Sequence, residues 1–161
     1  MSRSLLEFEH LVQINDPNNK QLALLSREDL WQGLVFRTRY PHHFNPAVQA
    51  ELQDETDTGF VRILSAGSMR LRDEVILIPD TEIRTIIDGR TQHMHAESIT
   101  RIEEPEPGYL FVRFSYRRDS ISDQGGIDAD DFLKSAYLQN DREAITTLRQ
   151  MFAEGWDGVP T

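Results

Sequence analysis

The order of the predicted elements constrains this chain more than any other feature of its sequence. One strand is followed by short helices, then by a long run of strands over residues 59–118, and finally by one long amphipathic helix after residue 126. A single helix that follows a sheet must bury its apolar stripe against one face of that sheet. This arrangement predicts an α+β fold in which a cavity can remain between the helix and the sheet.

The first part of the chain predicts one strand and two short helices. Apolar residues over 5–14 are typical of a strand. Ser26 is a suitable helix N-cap, with Asp29 at the acidic position of a capping box. The first helix ends before Pro41, because the residue that precedes a proline disfavours helical geometry. One further short turn is expected within residues 41–46.

The middle of the chain predicts six more strands, because turn-forming Gly, Pro and Asp residues interrupt it at short intervals. These strands cover residues 48–54, 59–66, 69–78, 81–88, 91–103 and 109–118. Short connections favour antiparallel hairpins, since a parallel crossover needs about a dozen residues or more. With the first strand, they predict a seven-stranded antiparallel sheet.

Alternation along the strands assigns side chains to the two faces of this sheet. In the strand over 109–118, the apolar side chains alternate with Arg113, Ser115 and Arg117. A shift of one residue in any strand would exchange its two faces.

The last helix is predicted over residues 129–154, which corresponds to a length of roughly 39 Å. Asp128 is its expected N-cap and Gly155 its expected C-terminal cap. A helix break near Asn140 is a second possibility, because polar residues interrupt the apolar stripe there. The stripe consists of Leu133, Tyr137, Ala144, Leu148, Met151 and Phe152.

Composition excludes several classes of function. A chain of 161 residues is expected to form a single domain over residues 1–161. Its formal net charge of −10 argues against nucleic-acid binding, which needs basic surface. The absence of cysteine excludes disulfides and thiolate chemistry. No apolar run approaches the roughly 18 residues of a membrane span, so no membrane span and a cytoplasmic location are expected.

The element order is accompanied by local patterns that match a known family. They lie in residues 25–34, Arg37 and residues 41–46, 61–62, 72–75 and 109–116. On these residues the chain resembles the START-like SRPBCC superfamily, whose members have the helix-grip fold and include the plant pathogenesis-related allergens. Within that superfamily it is similar to the AtaL-like branch, whose function is largely unknown.

The resemblance implies a curved seven-stranded antiparallel sheet wrapped around the long C-terminal helix. The cavity between them often holds an apolar or amphipathic molecule in relatives, which include ligand carriers, sensors, polyketide cyclases and ring-hydroxylase subunits. The fold alone therefore does not determine the function. The Gly-rich loop of the plant allergens corresponds to residues 53–59, which are short and acidic here and argue against an anion site.

Ten side chains are expected to line the cavity, with ordinary core packing as the alternative for the aromatic ones. Tyr116 and Tyr137 are of particular interest, because a buried hydroxyl needs a hydrogen-bond partner that a ligand can provide. The ten are Trp31, Ile63, Val75, Ile83, Thr85, Met94, Ser98, Phe114, Tyr116 and Tyr137.

Three residues are candidate acid–base groups: Asp73, Glu74 and Tyr116. Asp73 and Glu74 are adjacent, so only one of them faces the cavity, and the strand register decides which. A carboxylate inside a cavity suits acid–base chemistry. The alternative is a structural salt bridge with Arg62 or Arg72.

Histidine pairs offer two further hypotheses. His93 and His95 share one face of the predicted strand and can begin a metal site, but an exposed polar strand face is the favoured explanation, because only Glu97 is an obvious third ligand there and no cysteine is available. His42 and His43 are candidates for the mouth of the cavity or for a general base, and a helix-ending turn explains them as well. We expect no metal and no cofactor.

The sequence therefore favours a protein that binds an apolar or amphipathic small molecule between the sheet and the last helix. A cyclase- or isomerase-type enzyme that uses a cavity carboxylate or tyrosine is the alternative, and enzymatic activity is left open. A third possibility is an interaction protein that dimerises through its sheet. A monomer and a homodimer are both compatible with the sequence.

Overall fold

In the computed structural model, which describes residues 5–119 and 129–157, seven strands and two α-helices are present. The strands are β1 (Leu5–Gln13), β2 (Gln49–Thr56), β3 (Gly59–Ala66), β4 (Met69–Ile78), β5 (Glu82–Ile87), β6 (Ala96–Glu106) and β7 (Tyr109–Asp119). The helices are α1 (Arg27–Arg39), a one-turn 3-10 helix (Pro41–His43) and α2 (Ala129–Ala153).

The strands form one antiparallel sheet in the order β1-β7-β6-β5-β4-β3-β2. Each neighbouring pair from β2 to β7 is a hairpin of consecutive strands, and β1 closes the other edge by pairing with β7. The predicted seven-stranded antiparallel sheet and its helix-grip arrangement are thus confirmed.

The predicted start of β6 is wrong by five residues. Residues 91–95 form a turn, because Asp88 organises the chain that follows it. Its carboxylate accepts a hydrogen bond of 2.9 Å from the backbone N–H of Arg90, and its carbonyl accepts one of 2.9 Å from that of Gln92. The local turn bonds replace the sheet pairing that the sequence pattern predicted.

This turn also separates the two histidines that the sequence placed on one strand face. His93 is exposed within the turn, whereas His95 Nδ1 accepts a hydrogen bond of 3.1 Å from the backbone N–H of Gly89. Within residues 5–119 and 129–157, no group of three His, Asp or Glu side chains is placed to hold a metal ion.

The two faces of the sheet differ in what covers them. We call the face that contacts α2 the inner face and the opposite one the outer face. Thr85, Ser98 and Tyr116 are neighbours across β5, β6 and β7, and all three lie on the inner face. Ile63 was expected on this face but lies on the outer one, because its neighbour Arg62 occupies the inner position.

Helix α1 begins as the sequence predicts. The Ser26 hydroxyl accepts a hydrogen bond of 3.0 Å from the backbone N–H of Asp29, which is the expected N-cap. Leu30 and Leu34 are buried in the core. The helix ends at Arg39, and its C-cap Tyr40 immediately precedes the proline that opens the 3-10 turn.

Helix α2 is continuous, so the break considered near Asn140 is absent. Its buried side chains are Asp141, Ala144, Ile145 and Leu148. The helix ends in a Schellman motif, in which Gly155 has φ +91° and the Trp156 N–H donates to the carbonyl of Met151 at 2.9 Å. The expected N-cap, Asp128, lies outside the described residues.

The hydrophobic core lies between the inner face and the two helices. Its most completely buried apolar side chains are Ile14, Leu30, Val112, Phe114 and Leu148. Over the described ranges, no helix combines the length and the hydropathy that crossing a membrane requires.

Candidate functional site

A cavity of about 270 Å³ lies between the inner face of the sheet and the helices. Four strands and both α-helices contribute to it, together with the 3-10 turn and the loop after it. The lining side chains are Leu34, Arg37, Thr38, Pro41, Phe44, Asn45, Val48, Asn140 and Glu143 on the helical side and Arg62, Ile83, Thr85, Ser98, Thr100 and Tyr116 on the sheet side.

The sheet side of the cavity carries a row of hydroxyl groups. Thr85 and Ser98 are direct neighbours in the β5–β6 pair, and their hydroxyls are 2.5 Å apart. Ser98 in turn lies beside Tyr116 in the β6–β7 pair. The cavity therefore offers polar groups along a surface where Ile83 and Thr100 also lie.

A buried ion pair forms a second polar part of the wall. Arg62 Nε lies 3.0 Å from Asp73 Oδ1, and Arg62 Nη2 lies 2.5 Å from Asp73 Oδ2, so the pairing is bidentate. Arg62 Nη1 also donates to the carbonyl of Thr38 at 2.9 Å. The pair thereby ties the end of α1 to the sheet, and Arg62 rather than Asp73 lines the cavity.

The two adjacent carboxylates have different surroundings. Asp73 is 3% exposed and engages Arg62 through both oxygens, which is the salt bridge considered from the sequence. Glu74 lies on the outer face with its side chain 59% exposed, 3.6 Å from Arg72. Neither carboxylate lines the cavity, so the idea of a cavity acid at this position is not supported.

A second group of polar side chains meets at Asp141, and we call His10, Arg37, Tyr116 and Asp141 the buried polar cluster. Asp141 is 1% exposed and projects from α2 towards the sheet. Its Oδ2 accepts hydrogen bonds from the Tyr116 hydroxyl at 2.5 Å and from His10 Nε2 at 2.8 Å. Arg37 Nη2 lies 3.0 Å from Oδ1, as an ion-pair contact without hydrogen-bond alignment.

The environment of Tyr116 determines where its proton resides. Burial raises the pKa of the Tyr116 phenol far above its ordinary value, and the neighbouring Asp141 carboxylate raises it further. The phenol therefore keeps its proton and donates it to Asp141. The ring of Tyr116 also stacks on that of Tyr137, with 3.9 Å between the ring centroids.

His10 lies between two aromatic rings and beside the Asp141 carboxylate. Its ring stacks between Phe8 and Phe114, with centroid distances of 5.5 Å and 5.1 Å. Because Nε2 faces a carboxylate oxygen, Nε2 carries a proton. Nδ1 is buried and has no hydrogen-bond partner within residues 5–119 and 129–157.

The residues expected to line the cavity divide into four groups. Ile83, Thr85, Ser98 and Tyr116 do line it. Trp31, Val75 and Phe114 pack in or against the hydrophobic core instead, and Ile63 lies on the outer face. Met94 and Tyr137 both contact Arg118, whose guanidinium is 3.6 Å from the sulfur and 3.3 Å from the hydroxyl.

Sequence reasoning missed His10, Arg37 and Asp141 as members of one cluster. Asp141 has a recognisable signal, because it lies four residues after Tyr137 and three before Ala144, within the apolar stripe of α2. His10 likewise falls on the apolar alternation of β1. The pair His42 and His43 packs around the 3-10 turn with ring centroids 4.4 Å apart and lies outside the cavity lining.

The sheet, the gripped helix and the intervening cavity define a START-like SRPBCC protein with the helix-grip fold. Residues 12–155 match the model of the family described as Acetylaranotin biosynthesis cluster protein L, or AtaL. Because this match covers most of the chain, the chain belongs to the AtaL family. No curated protein matches the chain by sequence.

Several solved structures share this fold at low sequence identity. The di-domain ARO/CYC BexL from the BE-7585A biosynthetic pathway is 15% identical, with a TM-score of 0.65, over 91% of this chain and 49% of that one. A norcoclaurine synthase mutant from Thalictrum flavum, in complex with a transition-state analogue, is 10% identical, with a TM-score of 0.65, over 95% and 99%.

A third structure, Ara h 8.0201, is 13% identical, with a TM-score of 0.62, over 90% of this chain and 98% of that one. The chain spans about half the length of the di-domain ARO/CYC structures, 49% for BexL and 52% for StfQ. At these identities the similarity establishes the fold alone.

Proposed function

We propose that this protein binds an apolar or amphipathic small molecule in the cavity between the sheet and α2. The observation that carries this proposal is the mixed lining of an interior space, in which Leu34, Phe44 and Ile83 accompany Thr85 and Ser98. Apolar walls with a few convergent polar groups are the usual composition of small-molecule sites.

The size of the cavity limits the ligand. Its volume of about 270 Å³ falls just below the roughly 300–1,000 Å³ of sites for drug-sized molecules. The ligand is therefore expected to be compact, with one or two rings. The shared fold supports this proposal, since the structure of the norcoclaurine synthase mutant is described with a transition-state analogue bound.

Native mass spectrometry of freshly purified protein tests the proposal, together with a pair of variants. Ser98→Phe places a ring inside the cavity, whereas Ser115→Phe places the same ring on the outer face of the adjacent strand. We expect a co-purifying molecule, or added naphthalene followed by its fluorescence, to bind the wild type and Ser115→Phe but not Ser98→Phe. Equal binding by the two variants would refute the cavity as the binding site.

A cyclase- or isomerase-type enzyme is the second candidate, and the buried polar cluster favours it. In this mechanism Arg37 holds the carbonyl oxygen of the ligand. The carbon next to the carbonyl loses a proton to the Tyr116 oxygen while the phenol passes its own proton to Asp141 Oδ2. One C–H bond breaks and a new phenolic O–H bond forms at Tyr116, while the original phenolic O–H bond breaks and a carboxyl O–H bond forms at Asp141. The electron pair of the C–H bond moves to the ligand oxygen as an enolate, and the reverse transfers return a proton to the carbon.

This relay is compatible with the raised pKa of Tyr116, because the phenol exchanges one proton for another and is never left as a phenolate. Asp73 takes no part in it, since both of its oxygens are bound by Arg62. Glu74 takes no part either, since it lies on the outer face.

Deuterium exchange into 1-tetralone in D2O, followed by NMR, tests the enzyme candidate. We expect the wild type to accelerate exchange next to the carbonyl, and Tyr116→Phe to lose on the order of 100-fold of that rate, as for removal of a positioned acid–base group. Tyr109→Phe is the matched control, because that hydroxyl lies at the surface beside Asn18. Exchange no faster than in buffer, or equal rates in wild type and Tyr116→Phe, would refute the relay.

A further inference from the structure

The hydrogen bond that the Tyr116 hydroxyl already makes limits which ligand groups it can bind. A phenol has one O–H donor and an oxygen that can also accept. In this structure the single donor is used by Asp141 at 2.5 Å. Towards anything else, Tyr116 can therefore act only as an acceptor while this bond is kept.

Breaking the hydrogen bond from Tyr116 to Asp141 is unfavourable. The carboxylate is 1% exposed, and its position is fixed by His10 at 2.8 Å and Arg37 at 3.0 Å. If Tyr116 turned its proton to a ligand, Asp141 Oδ2 would lose one of its two hydrogen-bond donors while remaining buried, and an unmade hydrogen bond of a buried carboxylate is costly. Burial raises the pKa of the Tyr116 phenol, so the hydroxyl keeps the proton that it donates to Asp141.

The buried polar cluster lies at the end of the cavity that α2 lines. Tyr116 and Arg37 belong to the lining, and so do Asn140 and Glu143, which flank Asp141 on the helix. A ligand that fills the cavity therefore reaches the neighbourhood of the Tyr116 oxygen.

We propose that this end of the cavity selects ligands that carry a hydroxyl group, a phenol or an alcohol, which donates to the Tyr116 oxygen. Asp141 is the positioning residue that sets this polarity through Tyr116. The inference rests on the proposed ligand-binding function, and it adds the chemical class of the ligand. A site built to accept a hydrogen bond discriminates against an analogue that lacks the donor, because the buried acceptor is then left unpaired.

Three probes of similar size test this inference: naphthalene, 1-naphthol and 1-methoxynaphthalene, each titrated by fluorescence. We expect the wild type to bind 1-naphthol about tenfold more tightly than its methyl ether, the value of one buried hydrogen bond. In Tyr116→Phe this ratio should fall to near one while naphthalene still binds. Asp141→Asn should lower the ratio as well, because the amide can itself donate and frees the phenolic proton to face the cavity.

Tyr109→Phe serves as the control and should keep the wild-type ratio, since it removes a surface hydroxyl. A purely structural role for Asp141 would change stability but leave the ratio of the two affinities unchanged in folded Asp141→Asn. If Asp141→Asn does not fold, Tyr116→Phe decides the question alone, because it retains the contacts of Asp141 with His10 and Arg37.

The outcomes separate the two proposals. Naphthalene binding with equal affinities for the hydroxyl and methoxy probes would overturn the specificity and leave the proposed function intact. A preference that survives in Tyr116→Phe would also overturn it. No binding of any probe up to its solubility limit would overturn the ligand-binding function and the specificity together.

Discussion

Removing the carboxylate of Asp73 leaves the guanidinium of Arg62 without its counter-charge inside the protein. The two side chains are 3% and 12% exposed and share two hydrogen bonds, of 3.0 Å and 2.5 Å. Loss of one partner of a buried pair costs about 3–5 kcal/mol, because the remaining charge stays desolvated. Arg62 keeps its bond to the Thr38 carbonyl and borders the cavity, so the lower end of this range applies.

For Asp73→Leu we therefore expect a loss of about 3 kcal/mol in the free energy of unfolding, with a decrease in Tm of roughly 6–12 °C. Urea denaturation followed by circular dichroism measures the loss as a lower midpoint at an unchanged slope. Glu74→Leu is the matched control, because the next residue along the strand is 59% exposed and should change stability by less than about 0.5 kcal/mol.

The double variant Arg62→Met/Asp73→Leu provides the decisive comparison. It removes both charges, so it should recover most of the stability that Asp73→Leu loses. A loss below about 1 kcal/mol in Asp73→Leu, or a double variant as unstable as the sum of the single ones, would refute the reasoning.

Three further outcomes follow from the structure. Gly59→Ala should cost at least about 2 kcal/mol in urea denaturation, because its Cβ would lie 2.2 Å from the Val75 carbonyl oxygen; unchanged stability would contradict this contact. Ser26→Ala should cost about 1 kcal/mol by the same assay, through loss of the N-cap, and a neutral result would contradict that role. Arg84 donates a hydrogen bond to Glu82 and lowers its pKa below the ordinary 4.5. The stabilisation is thus complete above pH 4.5 and is lost as the pH falls through the lowered pKa, so Glu82→Gln should flatten the acid side of the stability profile.

Local interactions explain why much of the fold was predictable. The capping hydroxyl of Ser26, the proline after α1 and the glycine after α2 act within a few residues, so their effects can be derived from sequence alone. The alternation in β7 also placed Phe114 and Tyr116 on the inner face correctly, because polar and apolar side chains alternate strictly over residues 112–117.

Predictions failed where a residue's surroundings come from distant segments. Ile63 was assigned to the cavity, but the inner position of β3 belongs to Arg62, whose charge is compensated by a partner on β4. The inner face of a sheet usually carries apolar side chains. An arginine is stable there only because the pairing of β3 with β4 places the carboxylate of Asp73 beside it. The prediction of a strand over residues 91–95 failed for a different reason. Hydrogen bonds to the Asp88 side chain stabilise a turn there and outweigh the strand propensity of these residues.

The sequence by itself determined the element order and the antiparallel hairpins, since these depend on periodicity and turn residues, and its local motifs already resembled those of the family that the family model shows. Only the tertiary structure decided the composition of the site. The buried polar cluster takes its members from four separate elements: His10, Arg37, Tyr116 and Asp141. In the sequence, Asp141 indicated only that polar residues interrupt the apolar stripe of α2. A carboxylate in an apolar stripe becomes stable only when donors from β1, β7 and α1 converge on it, and that convergence arises from the packing of the helices on the sheet.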